Sequence, residues 1–128
     1  MINRLAKEIH RNNVSKGFYD KEKNIGEMIA LIHSEASEAL EADRIEKYAE
    51  MDETLWNDMN NSPEADYFPH AFKEYCKDTF EDELADIMIR VMDLAHYKGI
   101  DLEKHIEAKM KFNGYRYDDL ITGLSNMG

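Results

Sequence analysis

Apolar residues recur along much of the chain at the three- and four-residue spacing that places them on one face of a helix. The first such stretch covers about residues 2–16, and Gly17 is placed to end it. A second covers about residues 25–45, and its predicted apolar face consists of Ile25, Met28, Ile29, Ile32, Ala36, Ala39 and Leu40. Strict alternation of apolar and polar residues, which is typical of strands, is missing from the sequence. The pattern therefore predicts a helical protein.

The pattern weakens between Glu46 and about Phe72, where residues 60–63 (NNSP) and Pro69 are typical of turns. We interpret residues 47–72 as an insertion with a short helix at about 51–59. Another long helix is predicted from about Ala71 or Thr79 to residue 97, where Lys98 and Gly99 would end it. Its predicted apolar face consists of Phe80, Leu84, Ile87, Met88, Val91, Met92 and Ala95.

A fourth long helix is predicted over residues 102–112, with Asp101 as its N-cap and Gly114 as its end. With six Gly and two Pro in 128 residues, the composition also favours helix. We therefore predict an all-α fold in which one domain, residues 1–128, forms a four-helix bundle. The one cysteine, Cys76, has no internal disulfide partner and is expected to be a small core residue in a reducing compartment.

The N-terminal residues carry scattered charges rather than the apolar segment of a signal peptide. No apolar run approaches the roughly 18 residues that a membrane span needs. These two features predict a cytoplasmic protein that does not enter a membrane.

The chain has 27 acidic and 16 basic residues and a formal net charge of −11. This argues against a partner that is nucleic acid, because a protein neutralises phosphates with a basic surface. The acidity lies in residues 25–100, which carry nineteen acidic and six basic residues, whereas residues 1–24 carry an excess of three basic residues. The middle of the chain is thus where a cation would be expected to bind.

Two pairs of carboxylates stand out there: Glu35 with Glu38, and Glu83 with Asp86. Residues three apart on a helix are neighbours on its surface, and the first pair flanks the apolar face, where we expect it to be half-buried. Glu83, Asp86, Arg90 and Asp93 form a polar stripe that would also suit an ordinary solvated helix face. Four carboxylates brought together would repel one another, so both pairs on adjacent helices favour a hard cation such as Mg²⁺.

Other polar and aromatic residues are candidates for binding an anionic, ring-containing ligand. Lys109, Asn113 and Arg116 follow one another at i, i+4 and i+7, where they offer two cations and an amide to an anion, or simply complete a solvated helix end. The aromatic residues Phe18, Tyr19, Trp56 and Tyr67 lie in predicted loops or in the insertion, where each would stack on a ring or pack in the core.

Three segments resemble the successive motifs of the MazG-like nucleotide pyrophosphohydrolases, an all-α group related to the dimeric dUTPases. They are residues 31–44 (LIHSEASEALEADR), 82–95 (DELADIMIRVMDLA) and 109–116 (KMKFNGYR). Residues 16–19 (KGFY) and 24–27 (NIGE) are also similar to the start of compact bacterial and phage members. The paired E-x-x-E and E-x-x-D motifs are fairly specific to the family. Forty-four residues separate Glu38 from Glu83, however, which is longer than the usual spacing and makes 47–72 an insertion relative to it.

The resemblance implies an enzyme that requires Mg²⁺, or Mn²⁺ in its place, and hydrolyses a (d)NTP to the (d)NMP and pyrophosphate by attack of a metal-activated water. It implies that Glu35, Glu38, Glu83 and Asp86 are the catalytic residues and metal ligands. Lys109 and Arg116 would bind phosphate oxygens, Asn113 would bind phosphate or sugar, and Phe18 or Trp56 would contact the base. Family members are homodimers or homotetramers, so an oligomer of this kind is expected here.

Other sites are disfavoured by the sequence. A di-iron site of the ferritin type needs two Glu-x-x-His motifs, and the chain offers only Asp93-x-x-His96. A His-Asp dipeptide, which phosphohydrolases of the HD type require, does not occur either. The alternative that stays open is a non-catalytic, oligomeric helical module whose acidic face binds divalent cations.

Overall fold

A computed structural model describes the backbone of residues 1–127 and the side chains of residues 1–115. These residues form six helices and no strand, which confirms the predicted all-α class. The helices are α1 (Ile2–Ser15), α2 (Ile25–Arg44), α3 (Glu53–Asn61), α4 (Tyr67–Tyr75), α5 (Phe80–Tyr97) and α6 (Leu102–Met127). None of the helices in the described part of the chain combines the length and apolarity needed to cross a membrane.

Several helix ends lie at the residues that the sequence predicted. Gly17 (φ 85°) follows α1 and Gly99 (φ 68°) follows α5, both in the left-handed conformation that suits glycine. After α5, the Gly99 N–H donates to the carbonyl of His96 and the Ile100 N–H to that of Ala95, as in a Schellman motif. Asp101 caps α6, since its Oδ1 accepts the Lys104 N–H at 3.1 Å.

Two predictions about helix extent were wrong. Gly114 does not end the last helix, because α6 continues to Met127. A single glycine inside a helix costs only about 1 kcal/mol relative to alanine, so it does not by itself stop one. Pro69 was interpreted as a turn residue but is the third residue of α4, where the missing N–H has no partner within the helix. The 47–72 segment thus contains α3 and most of α4, and the long helix begins after Thr79 rather than at Ala71.

The chain divides into two compact units. We call Lys21–Val91 the central unit, and Met1–Asp20 with Met92–Gly128 the terminal unit. In the central unit, α3 contacts α4, and Met59, Ala71 and Cys76 form a buried cluster. Cys76 is a core residue, as predicted. Met51, Tyr67 and Phe72 pack against this cluster.

In the terminal unit, α1 packs on α6, and the N-terminal amine and the Ile2 N–H both donate to Glu103 Oε1. A second set of contacts surrounds Asp93, which is buried. Its Oδ1 lies 2.9 Å from His10 Nδ1, and its Oδ2 accepts the Tyr19 hydroxyl at 2.6 Å. The ring of His10 lies 4.5 Å from that of Tyr19. Both oxygens of this buried carboxylate are therefore occupied by protein groups.

The burial of the helix faces differs from the prediction. On α5 the polar stripe turns inward: Glu83 and Asp93 are buried, and Asp86 and Arg90 are half-buried. The interpretation of these polar residues as a solvated helix face is therefore wrong. Hydrophobic periodicity identifies the residues of one helix face, but it does not show which face packs against other helices. Meanwhile several large side chains of the predicted apolar faces in the central unit are more than a third exposed, namely Ile25, Ile29, Leu40, Leu84 and Met88.

Candidate metal centre

Three predicted carboxylates converge in the central unit. Glu35 and Glu38 lie one turn apart on α2, and Glu83 lies in the first turn of α5. One oxygen from each lies within 4.8 Å of the other two. Three-residue spacing explains the proximity of Glu35 and Glu38, and the placement of α5 beside α2 brings in Glu83.

Burial makes this cluster different from a surface patch of acids. Glu35 is 8 % exposed and Glu83 is 5 % exposed, whereas Glu38 is exposed, so the expected half-burial of the α2 pair is uneven. Glu35 Oε2 and Glu83 Oε2 are both buried and have no hydrogen-bond partner among the described residues. A buried polar atom without a partner costs about 1–3 kcal/mol, and more when it is charged. Two such oxygens beside a third carboxylate fit a hard cation with oxygen ligands.

A single positive charge faces the cluster from α5. The Arg90 guanidinium donates from Nε to Glu35 Oε1 at 2.8 Å. Burial acts to raise the pKa of Glu35, but the hydrogen bonds and charge that it meets, those of Arg90 first, outweigh burial and hold its pKa below the usual value. Glu35 is thus kept ionised, with one oxygen paired and the other without a partner.

The remaining carboxylates are harder to ionise. Burial, followed by the proximity of Glu38 and Glu35, raises the pKa of Glu83 to about 8. Burial and the negative charge of Asp82 raise the pKa of Asp86 to about 6. At neutral pH without a cation, Glu83 therefore retains a proton that a bound cation would have to displace.

Asp86 belongs to neither group of converging acids found among the described residues, although the charges of Glu35 and Glu38 act on it. A second group, which the sequence analysis did not single out, consists of Asp78, Asp82 and Glu83, again with oxygens within 4.8 Å. Asp82 Oδ2 accepts the Asp78 N–H at 2.9 Å, and Asp78 has a left-handed backbone (φ 64°). The four-residue spacing of the two aspartates was a signal for this proximity, but the turn at Asp78 was not predictable.

Four of the other predicted site residues are Lys109, Asn113, Arg116 and Phe18. Lys109 and Asn113 are exposed on α6, and the Lys109 ammonium lies 5.2 Å from the centre of the Phe112 ring. The side chain of Arg116 lies outside the described residues. Phe18 is half-buried and packs edge-on against Tyr19, with the ring centres 5.1 Å apart. These residues belong to the terminal unit, whereas the converging carboxylates belong to the central unit.

The two aromatic candidates of the 47–72 segment differ in their surroundings. Tyr67 packs against the buried cluster of Met59, Ala71 and Cys76, as a core residue would. Trp56 is 42 % exposed and lines a cavity in the central unit. Tyr67 also lines a cavity, beside Ser62 and Pro63, so both aromatic residues border a space that a ligand could enter.

Comparisons with known proteins do not assign the chain to a family. No protein-family model, no curated protein and no solved structure matches the chain.

Proposed function

We propose that the protein is a Mg²⁺-dependent pyrophosphohydrolase that converts a (d)NTP into the (d)NMP and pyrophosphate. The observation that carries the proposal is the pair of buried, unpartnered oxygens of Glu35 and Glu83 next to Glu38. Only protons or a cation can neutralise such a cluster. The resemblance of its two motifs to those of MazG-like pyrophosphohydrolases supports the choice of reaction.

Each residue has a distinct task in this proposal. Glu35, Glu38 and Glu83 would hold the ion, with Asp86 one turn further along α5 as the fourth carboxylate. When bound, Mg²⁺ supplies positive charge that offsets the phosphates and acidifies the attacking water. Arg90 keeps Glu35 ionised through its hydrogen bond and so keeps it available as a ligand.

The resemblance also assigns the cations and the amide of α6 to the substrate. By motif position, Lys109 and Arg116 would bind phosphate oxygens, and Asn113 would bind phosphate or sugar. Cationic side chains suit this task because a triphosphate bears more charge than a single divalent ion offsets. Substitution of Lys109 by Met should therefore raise the KM for the nucleotide more than it lowers kcat.

A homo-oligomer is part of the proposal. The exposed Ile29 and Leu40 of α2 and Leu84 and Met88 of α5 support it, because large exposed apolar surfaces mark interaction sites. Light scattering after size-exclusion chromatography should give a multiple of the 15.0 kDa chain mass. A Met88→Glu variant that leaves the mass unchanged would remove this support.

The decisive experiment measures pyrophosphate release from a panel of standard and modified (d)NTPs, with and without Mg²⁺. Hydrolysis should require the ion and should be lost in Glu38→Gln and Asp86→Asn, whereas the exposed Glu107→Gln on α6 should retain it. A parallel thermal-shift screen tests the non-catalytic alternative. If Mg²⁺ raises the melting temperature but no nucleotide adds to the shift or is hydrolysed, the protein is a cation-binding module and the enzyme proposal fails.

A further inference from the structure

A cavity of about 340 Å³ in the central unit is lined by residues of the 47–72 segment, by Cys76 and Thr79, and by the start of α5. This volume is in the range of small-molecule sites. The larger apolar or aromatic residues of its lining are Met51, Trp56, Phe72 and Cys76, and the acidic ones are Glu81 and Asp82. We call the first set the apolar side of the cavity and the second set its acidic side.

The cavity adjoins the carboxylate cluster. Asp82 lines the cavity, and one of its oxygens lies within 4.8 Å of an oxygen of Glu83. At 100° per residue, Glu81 and Ala85 occupy one stripe of α5, Glu83 and Asp86 occupy another, and Asp82 lies between them. A ligand whose anionic part is near Glu83 therefore has this cavity within reach of its other end.

The acidic side of the cavity is held in place by backbone groups. The Ala49 N–H donates to Glu81 Oε2 at 2.6 Å, and the Asp78 N–H donates to Asp82 Oδ2 at 2.9 Å. An ionised carboxylate has two oxygens with about four acceptor positions and no donor. Both side chains can thus accept N–H groups from a ligand, and both would repel a ligand carbonyl oxygen.

The apolar side suits a flat ring. Trp56 and the half-buried Phe72 provide aromatic surface, and the thioether of Met51 lies beside them. Stacking on aromatic side chains accepts any base, so the acidic side would have to supply the discrimination. Adenine, cytosine and guanine carry exocyclic amino groups, whereas uracil and thymine present carbonyl oxygens on either side of a single N–H.

Resting on the function proposed above, we propose that this cavity binds the nucleobase of the substrate and favours bases with an amino group over uracil and thymine. Trp56 and Phe72 contact the ring, and Glu81 and Asp82 accept its amino hydrogens. The 47–72 segment is then a determinant of base specificity.

Trp56 is the one tryptophan of the chain, so its fluorescence reports on the cavity without any contribution from catalysis. The probes are the non-hydrolysable α,β-methylene analogues of dATP and dUTP with Mg²⁺, and inorganic pyrophosphate as the ligand without a base. The dATP analogue should quench Trp56 and bind about 10-fold more tightly than the dUTP analogue, the ratio expected for one good amino-to-carboxylate contact. Pyrophosphate should leave the fluorescence unchanged.

Two variants and a matched control assign the effect to residues. Phe72→Leu should weaken binding of the dATP analogue about 10-fold through loss of stacking. Glu81→Gln should bring the two analogues closer in affinity, because an amide also donates to the carbonyls of uracil. Tyr75→Leu alters an aromatic residue of the same helix α4 that lines a different surface, and it should change neither value. A cooperative thermal transition and an unchanged far-ultraviolet circular dichroism spectrum show that each variant is folded, although Phe72→Leu should lower the melting temperature because Phe72 packs against the buried cluster.

The outcomes separate this proposal from the proposed function. If dNTPs are hydrolysed but Trp56 does not respond and Glu81→Gln leaves the dATP to dUTP ratio of kcat/KM unchanged, the base binds elsewhere and the enzyme proposal survives. If the analogues quench Trp56 selectively but no nucleotide is hydrolysed, the cavity assignment stands and the enzyme proposal fails. Equal affinity for the two analogues overturns the proposed selectivity.

Discussion

Helix α5 carries two buried acidic side chains whose surroundings differ. Asp93 is 3 % exposed, and both of its oxygens contact protein groups, His10 and the Tyr19 hydroxyl. Glu83 is 5 % exposed, and its Oε2 has no partner among the described residues, while its neighbours Glu35 and Glu38 are also acidic. The two carboxylates are equally buried but only one is satisfied.

This difference indicates which acid is structural. Burying a carboxylate is costly unless hydrogen bonds or an opposite charge compensate for the lost hydration, and the contacts of Asp93 provide that compensation within the chain. The surroundings of Glu83 add negative charge instead, so a proton or a cation must compensate for the lost hydration of this carboxylate. Burial alone does not distinguish Asp93 from Glu83, whereas the hydrogen-bond partners of their carboxylate oxygens do.

The largest expected effect is that of Glu83→Gln. Pyrophosphate release should fall at least about 100-fold, since even groups that only support a metal ligand contribute about 10- to 100-fold. Mg²⁺ should no longer raise the melting temperature. Without Mg²⁺ at neutral pH the variant should be about as stable as the original protein, because Glu83 is protonated there and an amide is neutral like the protonated carboxyl group.

Glu107→Gln, an exposed change of the same chemistry, is the control for this experiment. It should preserve both the activity and the shift with Mg²⁺. A Glu83→Gln protein that still gains stability from Mg²⁺ would show that the cation binds elsewhere, and the contrast between Glu83 and Asp93 would then say nothing about metal binding.

Substitution of Asp93 should have the opposite signature. Asp93→Asn replaces one acceptor by a donor and should lower the free energy of unfolding by about 1–3 kcal/mol, the cost of disrupting a buried hydrogen bond to a charged group. Tyr19→Phe removes a single donor and should cost less. Both can be measured by urea denaturation, and both variants should keep the melting-temperature shift with Mg²⁺. Loss of that shift in Asp93→Asn would place Asp93 in the functional site.

The fold was predictable where local rules decide it. Periodicity and the glycines at 17 and 99 placed α1, α2 and the end of α5 to within about two residues of the observed bounds. Other helix ends were predicted less well. Pro69 was interpreted as a turn residue although it lies in α4, and Gly114 was predicted to end α6, which continues past it. Both errors came from treating a residue that weakens a helix as one that always stops it.

The carboxylate residues of the site could be predicted from the sequence, but the burial of their side chains could not. Spacing identified the pairs Glu35 with Glu38 and Glu83 with Asp86, because i and i+3 positions are neighbours on any helix. The sequence did not indicate that the polar stripe of α5 turns inward, since that depends on how α5 packs within the central unit. The contact of Arg90 with Glu35 joins residues 55 positions apart, beyond the reach of local rules.

The last expected effect is a pH dependence of stability that belongs to the Glu83 cluster. The pKa of Glu83 is raised from 4.5 to about 8 and that of Asp86 from 3.8 to about 6, so the folded protein holds their protons more tightly than the unfolded chain does. Their contribution to stability is complete below the unfolded pKa values and is lost as pH rises through the folded ones. Glu35, whose pKa is lowered, acts in the opposite direction only in the acid range.

Without divalent cations, the melting temperature should therefore fall as pH rises from about 5.5 to 8.5, by a few degrees for each kcal/mol lost. Mg²⁺ should flatten or reverse the slope, because it binds the ionised carboxylates and its affinity rises as protons leave. Glu83→Gln should remove most of the slope, whereas Tyr19→Phe, beside the satisfied Asp93, should lower the curve without changing its slope. A slope that survives in Glu83→Gln would assign the titration to other groups and would leave hydrogen bonding, not protonation, as the difference between the two acids of α5.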